Sequence, residues 1–297
     1  MATKSYQGRI APEFAAKLNT TALVITEYTP PAAAEFANGL GTVGSRFLDD
    51  SRLTKTKYDG AFSFGLEPTY DDAVAVATAT MFTAAGGTAS NFSTWTGAIL
   101  PITAAGGTCE FAVDMEDAGR TFSACYTDSF GCEWSESDPL KMTVGLVTTA
   151  AYGTASVTAG TADAAIMVSG ADGTCFIGAD KYFPLGGKLE CARKLIKHYS
   201  GSPYPIITTA DVFEVTGSLT LSLNSDTWTL LAARVDGTTT TEIDVMFSDG
   251  TEGFGWAVPK ARITSPLPAF SGEGESTYEL TFMGYGNNEN ICSVWYK

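Results

Sequence analysis

The candidates for acid–base work in this 297-residue chain include its one histidine, His198, and the close carboxylate pairs Asp71 with Asp72, Asp114 with Glu116, and Glu242 with Asp244. A lone histidine has no second imidazole with which to hold a metal, and no nucleophile is placed beside it, so a surface or interface role is expected. Two carboxylates across a cleft are the apparatus of glycoside hydrolysis. Asp71 and Asp72, however, fall at a predicted helix start, where the helix dipole favours negative charge. The other two pairs occupy alternate positions on the outward faces of two predicted hairpins, in equivalent places. An active site is expected once in a chain, so a repeated acidic face reads as a shared surface property. Six cysteines, Cys109, Cys125, Cys132, Cys175, Cys191 and Cys292, show no CxxC pair and no spacing to histidine that suits zinc. The first residues carry scattered charges and no apolar leader core, so buried thiols are expected rather than disulfides. Nucleophile elbows, phosphate loops and dinucleotide fingerprints are missing; the glycines at 170–173 and 250–255 read as turns without the helix a phosphate site needs. No enzyme activity, metal or cofactor is expected.

The elements that would carry these residues repeat. Residues 211–235, DVFEVTGSLTLSLNSDTWTLLAARV, read as a strand running through a cap into a short helix, and residues 58–81, YDGAFSFGLEPTYDDAVAVATATM, read the same way. Aligned without a gap, Gly60 meets Gly217, and Phe62, Phe64 and Leu66 meet Leu219, Leu221 and Leu223. Apolar residues at every second position bury one face of each strand and leave a small, polar face. Thr69 with Asp72 three residues on forms a capping-box signature, and Asp226 stands at the matching place in the second copy. Each copy continues into a hairpin: residues 108–126 turn around 117–119, and residues 241–258 turn at Asp249-Gly250, a dipeptide suited to a tight turn. Each then passes a proline-containing loop, at Pro139 and at Pro266 with Pro268, into a closing strand, LKMTVGLV or TYELTFMGY.

The expected organisation is an N-terminal arm and strand over 1–57, a first unit over 58–147, an Ala/Thr/Gly-rich connector over 148–186, and a second unit with a C-terminal strand over 187–297. Apolar content of 44% against 17% charged fits two folded cores. The longest charge-free run, 73–109, is broken by paired glycines and rich in Thr, so no membrane segment is expected. In the arm, RFLDDSRLTKTKYD reads as a solvated loop or as a contact arm for a neighbouring subunit. One basic stripe, Lys188, Arg193, Lys194 and Lys197, stands out in an otherwise acidic chain, either as an exposed strand face or as a contact with the acidic surface of another copy.

The runs GAFSFGLEPTYDDAVAVATATM, CEFAVDME and CYTDSFGCEWSESDPLKMTVGLV resemble the tail tube proteins of long-tailed bacteriophages, as do GKLECARKLIKHY, FEVTGSLTLSLNSDTWTLL and AVPKARITSPLPAFSGEGESTYELTFMGY in the second half. The resemblance implies a mainly β chain with two tandem tail-tube-like β-sandwich or barrel domains, each flanked by one short helix. It also implies a virion protein, assembled in the host cytoplasm, whose copies join into rings that stack as a tube for genome delivery. Tape measure, tail terminator and baseplate proteins are the partners it implies. Two units per chain favour a homotrimer with pseudo-sixfold symmetry, the competing arrangement being six chains with one half outside. A net charge of −15 argues against DNA binding by counterion release and suits a wall along which DNA slides without adhering. Glu110, Asp114 and Glu116 in one hairpin, and Glu242 and Asp244 in the other, are the expected lumen lining. A β-rich carbohydrate-binding or adhesin module is the alternative reading.

Overall fold

The computed structural model describes residues 14–32, 35–38, 53–82, 98–102, 108–114, 119–154, 167–223, 240–266, 276–286 and 291–297. The first half contains strands β1 (Phe14–Leu18), β2 (Thr21–Ile25), β3 (Glu27–Thr29), β4 (Glu35–Asn38), β5 (Leu53–Lys57) and β6 (Ala61–Leu66), then helix α1 (Tyr70–Thr80). It continues with β7 (Ala98–Pro101), β8 (Cys109–Val113), β9 (Arg120–Ser135), β10 (Asp138–Thr148) and β11 (Gly153–Thr154). The second half contains β12 (Gly173–Ile177), β13 (Asp180–Tyr182), β14 (Pro184–His198), β15 (Ile206–Leu223), β16 (Thr241–Ser248), β17 (Gly253–Ile263), β18 (Ser276–Gly284) and β19 (Ser293–Tyr296). The chain is mainly β, as expected, and every strand pairing among the described residues is antiparallel. The helix expected after Asp226 lies outside the described residues.

The helix that is described begins as the sequence dictates. Asp72 N–H donates to Thr69 Oγ1 at 3.2 Å and Thr69 N–H donates to Asp72 Oδ2 at 3.4 Å, a reciprocal capping box. Its Ala73, Val76 and Ala77 are buried against the sheets. Thr69→Ala should cost about 1 kcal/mol of stability, read as a lowered midpoint in thermal or urea unfolding.

The two halves share a pairing network. The β1–β2 hairpin lies beside β8 with Leu18 opposite Phe111, and the β12–β13 hairpin lies beside β16 with Ile177 opposite Ile243. β6 pairs with β10, which pairs with β9, which pairs with β8; β15, β18, β17 and β16 follow the same order. The short β11 adds to β9 with Thr154 opposite Arg120, as β19 adds to β17 with Val294 opposite Trp256. Even the tight turns agree: Asn19 (φ 53°) donates its N–H to the Glu110 carbonyl at 2.7 Å, and Gly178 (φ 63°) donates to the Glu242 carbonyl at 2.8 Å. Asn and Gly are the residues that tolerate this left-handed backbone. The matching strands therefore run from β1 to β11 and from β12 to β19, further in both directions than the stretches in which the sequence shows the repeat.

The network also corrects the gapless alignment. Phe62 lies opposite Leu146, and the residue at the matching place opposite Phe282 is Gly217, so Gly217 corresponds to Phe62 and not to Gly60. A slip of two residues keeps every side chain on its face, which is why alternation alone could not detect it. Size is exchanged across the pair: where one copy sets Phe against Leu, the other sets Gly against Phe, and a Cβ on Gly217 would collide with the Phe282 ring. The Asp249-Gly250 turn is also longer than expected. It spans four residues between Ser248 and Gly253, with only Gly250 at positive φ (97°) and Asp249 Oδ1 accepting from Thr251 and Glu252 N–H at 2.7 and 2.8 Å.

The halves are joined by strand β14, which pairs with β15 on one side and with β9 of the first half on the other, over Gly186–Ala192 and Ser129–Ser135. Trp134 of β9 reaches across this seam to the rings of Phe247 (centroids 5.3 Å, edge-on) and Trp256 (6.1 Å). Room for the indole comes from Gly187, where a Cβ would stand 2.6 Å from Trp134 Cζ2 and 2.7 Å from the Ser218 carbonyl oxygen. The main hydrophobic core is shared by both halves, with a small separate cluster at Met246, Ala257 and Trp295.

Candidate functional site

Eight strands form a continuous sheet in the order β3, β6, β10, β9, β14, β15, β18, β17, four from each half. Directly opposed residues of neighbouring strands share a face, so side chains line up in rows across it. One row reads Tyr28, Phe64, Val144, Phe130, Cys191, Val215, and it faces the core. The adjacent row faces out and reads Thr29, Ser63, Gly145, Ser129, Ala192, Glu214. The next outward row reads Glu27, Gly65, Thr143, Gly131, Glu190, Thr216. From β3 to β15 the outward face is thus rich in glycine, serine and threonine, and the last row continues through the larger Met283 and Arg262. The exposed carboxylates and ammonium groups described on these eight strands are Glu27, Glu133, Asp138, Glu190, Glu214 and Glu279 against Lys141, Lys188, Lys194 and Lys260. Lys188 Nζ already contacts Glu190 Oε1 at 2.6 Å, both side chains being about half exposed, a pair of small energetic weight that leaves the face acidic.

The carboxylates singled out in the sequence lie elsewhere. Glu110 and Asp114 belong to β8 and its end, and Glu242 and Asp244 to β16; neither strand is among the eight that form this face. Glu110 is exposed, Asp114 and Glu242 are half-buried, and Glu116 lies outside the described residues. Asp244 is fully buried and cannot present a carboxylate to solvent. The cause is register: β8 and β16 correspond through Glu110 and Glu242, so Asp244 matches the buried Ala112 and not Asp114. Among the described residues of these hairpins, Glu110 and Glu242 are the one acidic position that is repeated.

The basic stripe divides in the same way. Lys188 and Lys194 are exposed, whereas Arg193 is 4% exposed and lies over the Phe213 ring at 5.5 Å. Lys197 turns to the first half and bonds Asp59 Oδ1 at 2.7 Å. It is part of a strap in which the loop after β14 grips the residues before β6. Tyr58 N–H donates to the Pro203 carbonyl at 2.8 Å, Tyr199 Oη donates to the Tyr58 carbonyl at 3.4 Å, and the Tyr58 and Tyr204 rings meet edge-on at 5.5 Å. Burial pushes the nearby Asp128 carboxyl up, partly countered by Lys197. The four cations are consequently not one stripe: Lys197 reaches the first half, Arg193 is buried over Phe213, and Lys188 and Lys194 are exposed.

All six cysteines are buried free thiols, in agreement with the sequence reading. Burial pushes the Cys109 thiol up to about 12, and Cys132 and Cys175 well above the ordinary thiol range. A hydrogen bond with Cys191, then burial, raises Cys292 in the same direction. Since the thiolate is the reacting species, none should be labelled by a maleimide in the native chain at pH 8, and all six should react once it is unfolded.

The residues described thus define a β-rich protein with a duplicated strand network and a broad sheet face rich in small polar residues; no described helix is long and apolar enough to cross a membrane. The family model of the phage tail tube protein matches residues 13–284, from the start of β1 to the end of β18. The chain belongs to the phage tail tube protein family and is a structural component of a phage tail. No curated protein matches it.

Proposed function

We propose that each chain fills two adjacent places in a ring, that three chains close the ring, and that stacked rings form the wall of a conduit for DNA. The observation that carries this reading is the duplicated pairing network, with β9 and β14 already joining one copy to the next within the chain. A heterologous contact of that kind, repeated with a rotation that divides a full turn, closes into a ring. The two outer ends of the eight-stranded sheet, β3 and the end of β17, are the places for the contact between chains.

In this arrangement the outward face of the sheet lines the lumen. Small side chains leave the bore smooth, and an excess of carboxylates keeps phosphates from settling on it. Glu110, Asp114 and Glu242 then belong to the outer layer. Tape measure, terminator and baseplate proteins would meet the ends of the tube. Negative-stain images of the purified full chain test the reading. Rings or tubes with a central hole are expected, and a uniform field of single particles, as an adhesin or carbohydrate-binding module would give, would overturn it.

A further inference from the structure

The seam inside the chain predicts what the seam between chains should look like, and the sequence departs from it at both edges. Thr29 lies opposite Ser63 as Lys188 lies opposite Ser218, so the residues after Thr29 correspond to those after Lys188, the middle of the β9–β14 ladder. Those residues are Pro30 and Pro31. On the other edge, Thr127 lies opposite Leu146 as Ile263 lies opposite Phe282. The counterpart of Ser129-Phe130, which pairs with β14, is then Ser265-Pro266. Among the described residues β3 has a ladder partner on one side only, and so does β17 beyond Ala261.

Successive N–H groups of a strand point to opposite edges, so one of two adjacent prolines must remove a donor from the outer edge whichever way the strand is turned. Prolines on exposed edges are a known guard against pairing with other chains. The internal seam, by contrast, has no proline between Gly186 and Ala192 or between Ser129 and Ser135. We infer that Pro30, Pro31 and Pro266 hold the two complementary edges of the sheet apart in free chains, so that a second copy of this chain docks slowly until a growing tube end positions it. The intrachain seam is a complete ladder formed on folding; the interchain seam is an interrupted one, slow to form alone.

This inference rests on the proposed ring assembly. It is tested with the full-length chain by sedimentation velocity and light scattering, comparing wild type with Pro30→Thr/Pro31→Thr/Pro266→Thr. Wild type should remain as single chains through a lag. With edge donors restored, the initial assembly rate should rise about tenfold and the lag should vanish, since each recovered hydrogen bond contributes a factor of roughly five. A variant that assembles no faster than wild type overturns the inference. If both still form rings in electron micrographs at equal rates, the guard alone falls; if neither forms any ring, the assembly reading falls with it. Should the triple variant not fold, as judged by its unfolding midpoint, Pro31→Thr and Pro266→Thr singly decide the matter. At least one of them must speed assembly by roughly fivefold, and equal rates for both would overturn the inference.

Discussion

Truncating Trp134 to alanine is expected to lower the stability of the entire chain by about 3–5 kcal/mol, in one cooperative step. Trp134 comes from the first half but packs on Phe247 and Trp256 of the second and fills the space above Gly187. Its loss leaves a cavity that the two sheets cannot close without breaking the β9–β14 ladder. For a chain of this size the midpoint should fall by roughly 6–20 °C. Wild type should melt as a single calorimetric transition, because one core spans both halves. Two resolved transitions, with only one of them moved by Trp134→Ala, would show that the halves fold as independent domains and that the seam is weak.

The second large effect is on DNA. Changing Glu133, Glu190, Glu214 and Glu279 to lysine moves the net charge of a chain by eight units, from −15 to −7, with every change on the small-polar sheet face. If that face lines the bore, assembled tubes of the variant should retain duplex DNA at 50 mM salt and release it as salt is raised. With six to ten phosphates engaged, affinity should fall by roughly 10³ to 10⁵ between 50 and 200 mM. Wild-type tubes should retain none. The control reverses Glu110, Asp114 and Glu242, which lie on β8, at its end and on β16, away from that face. Equal retention by the control, or no retention by the four-lysine variant, would move the lining to another surface. Phages carrying the four changes should also eject their genomes slowly at low salt.

Much of the fold could be read from alternation. Phe62, Phe64 and Leu66, and Leu219 and Leu221, announce a strand with one buried face, and the small residues between them announce a second face with nothing packed on it. Thr69 and Asp72 fixed the helix start because a cap is a local bond between residues three apart. What the sequence could not supply was register. A two-residue slip preserves the face, so Gly60 could be matched to Gly217 without contradiction; a one-residue slip in the hairpins put Asp244 outside when it is buried. Register is decided by pairing with strands distant in the chain, as when Glu242 accepts from Gly178 and Glu110 from Asn19.

The small-polar sheet face was half legible for the same reason. Ser63, Gly65, Thr143, Ser218 and Thr220 each lie on a recognisable strand, but only the β9–β14 ladder assembles them into one surface. That ladder joins residues more than fifty positions apart, and no local pattern encodes it. The N-terminal hairpin β1–β2 and the strand β12 went unassigned as parts of the repeat because each is five residues or fewer per strand, too short for periodicity to register.

The central claim is that one chain supplies two ring positions. Native mass measurement of isolated rings counts the chains directly. Rings of three 31.2-kDa chains are predicted; rings of six, with one half of each chain on the outside, would contradict it.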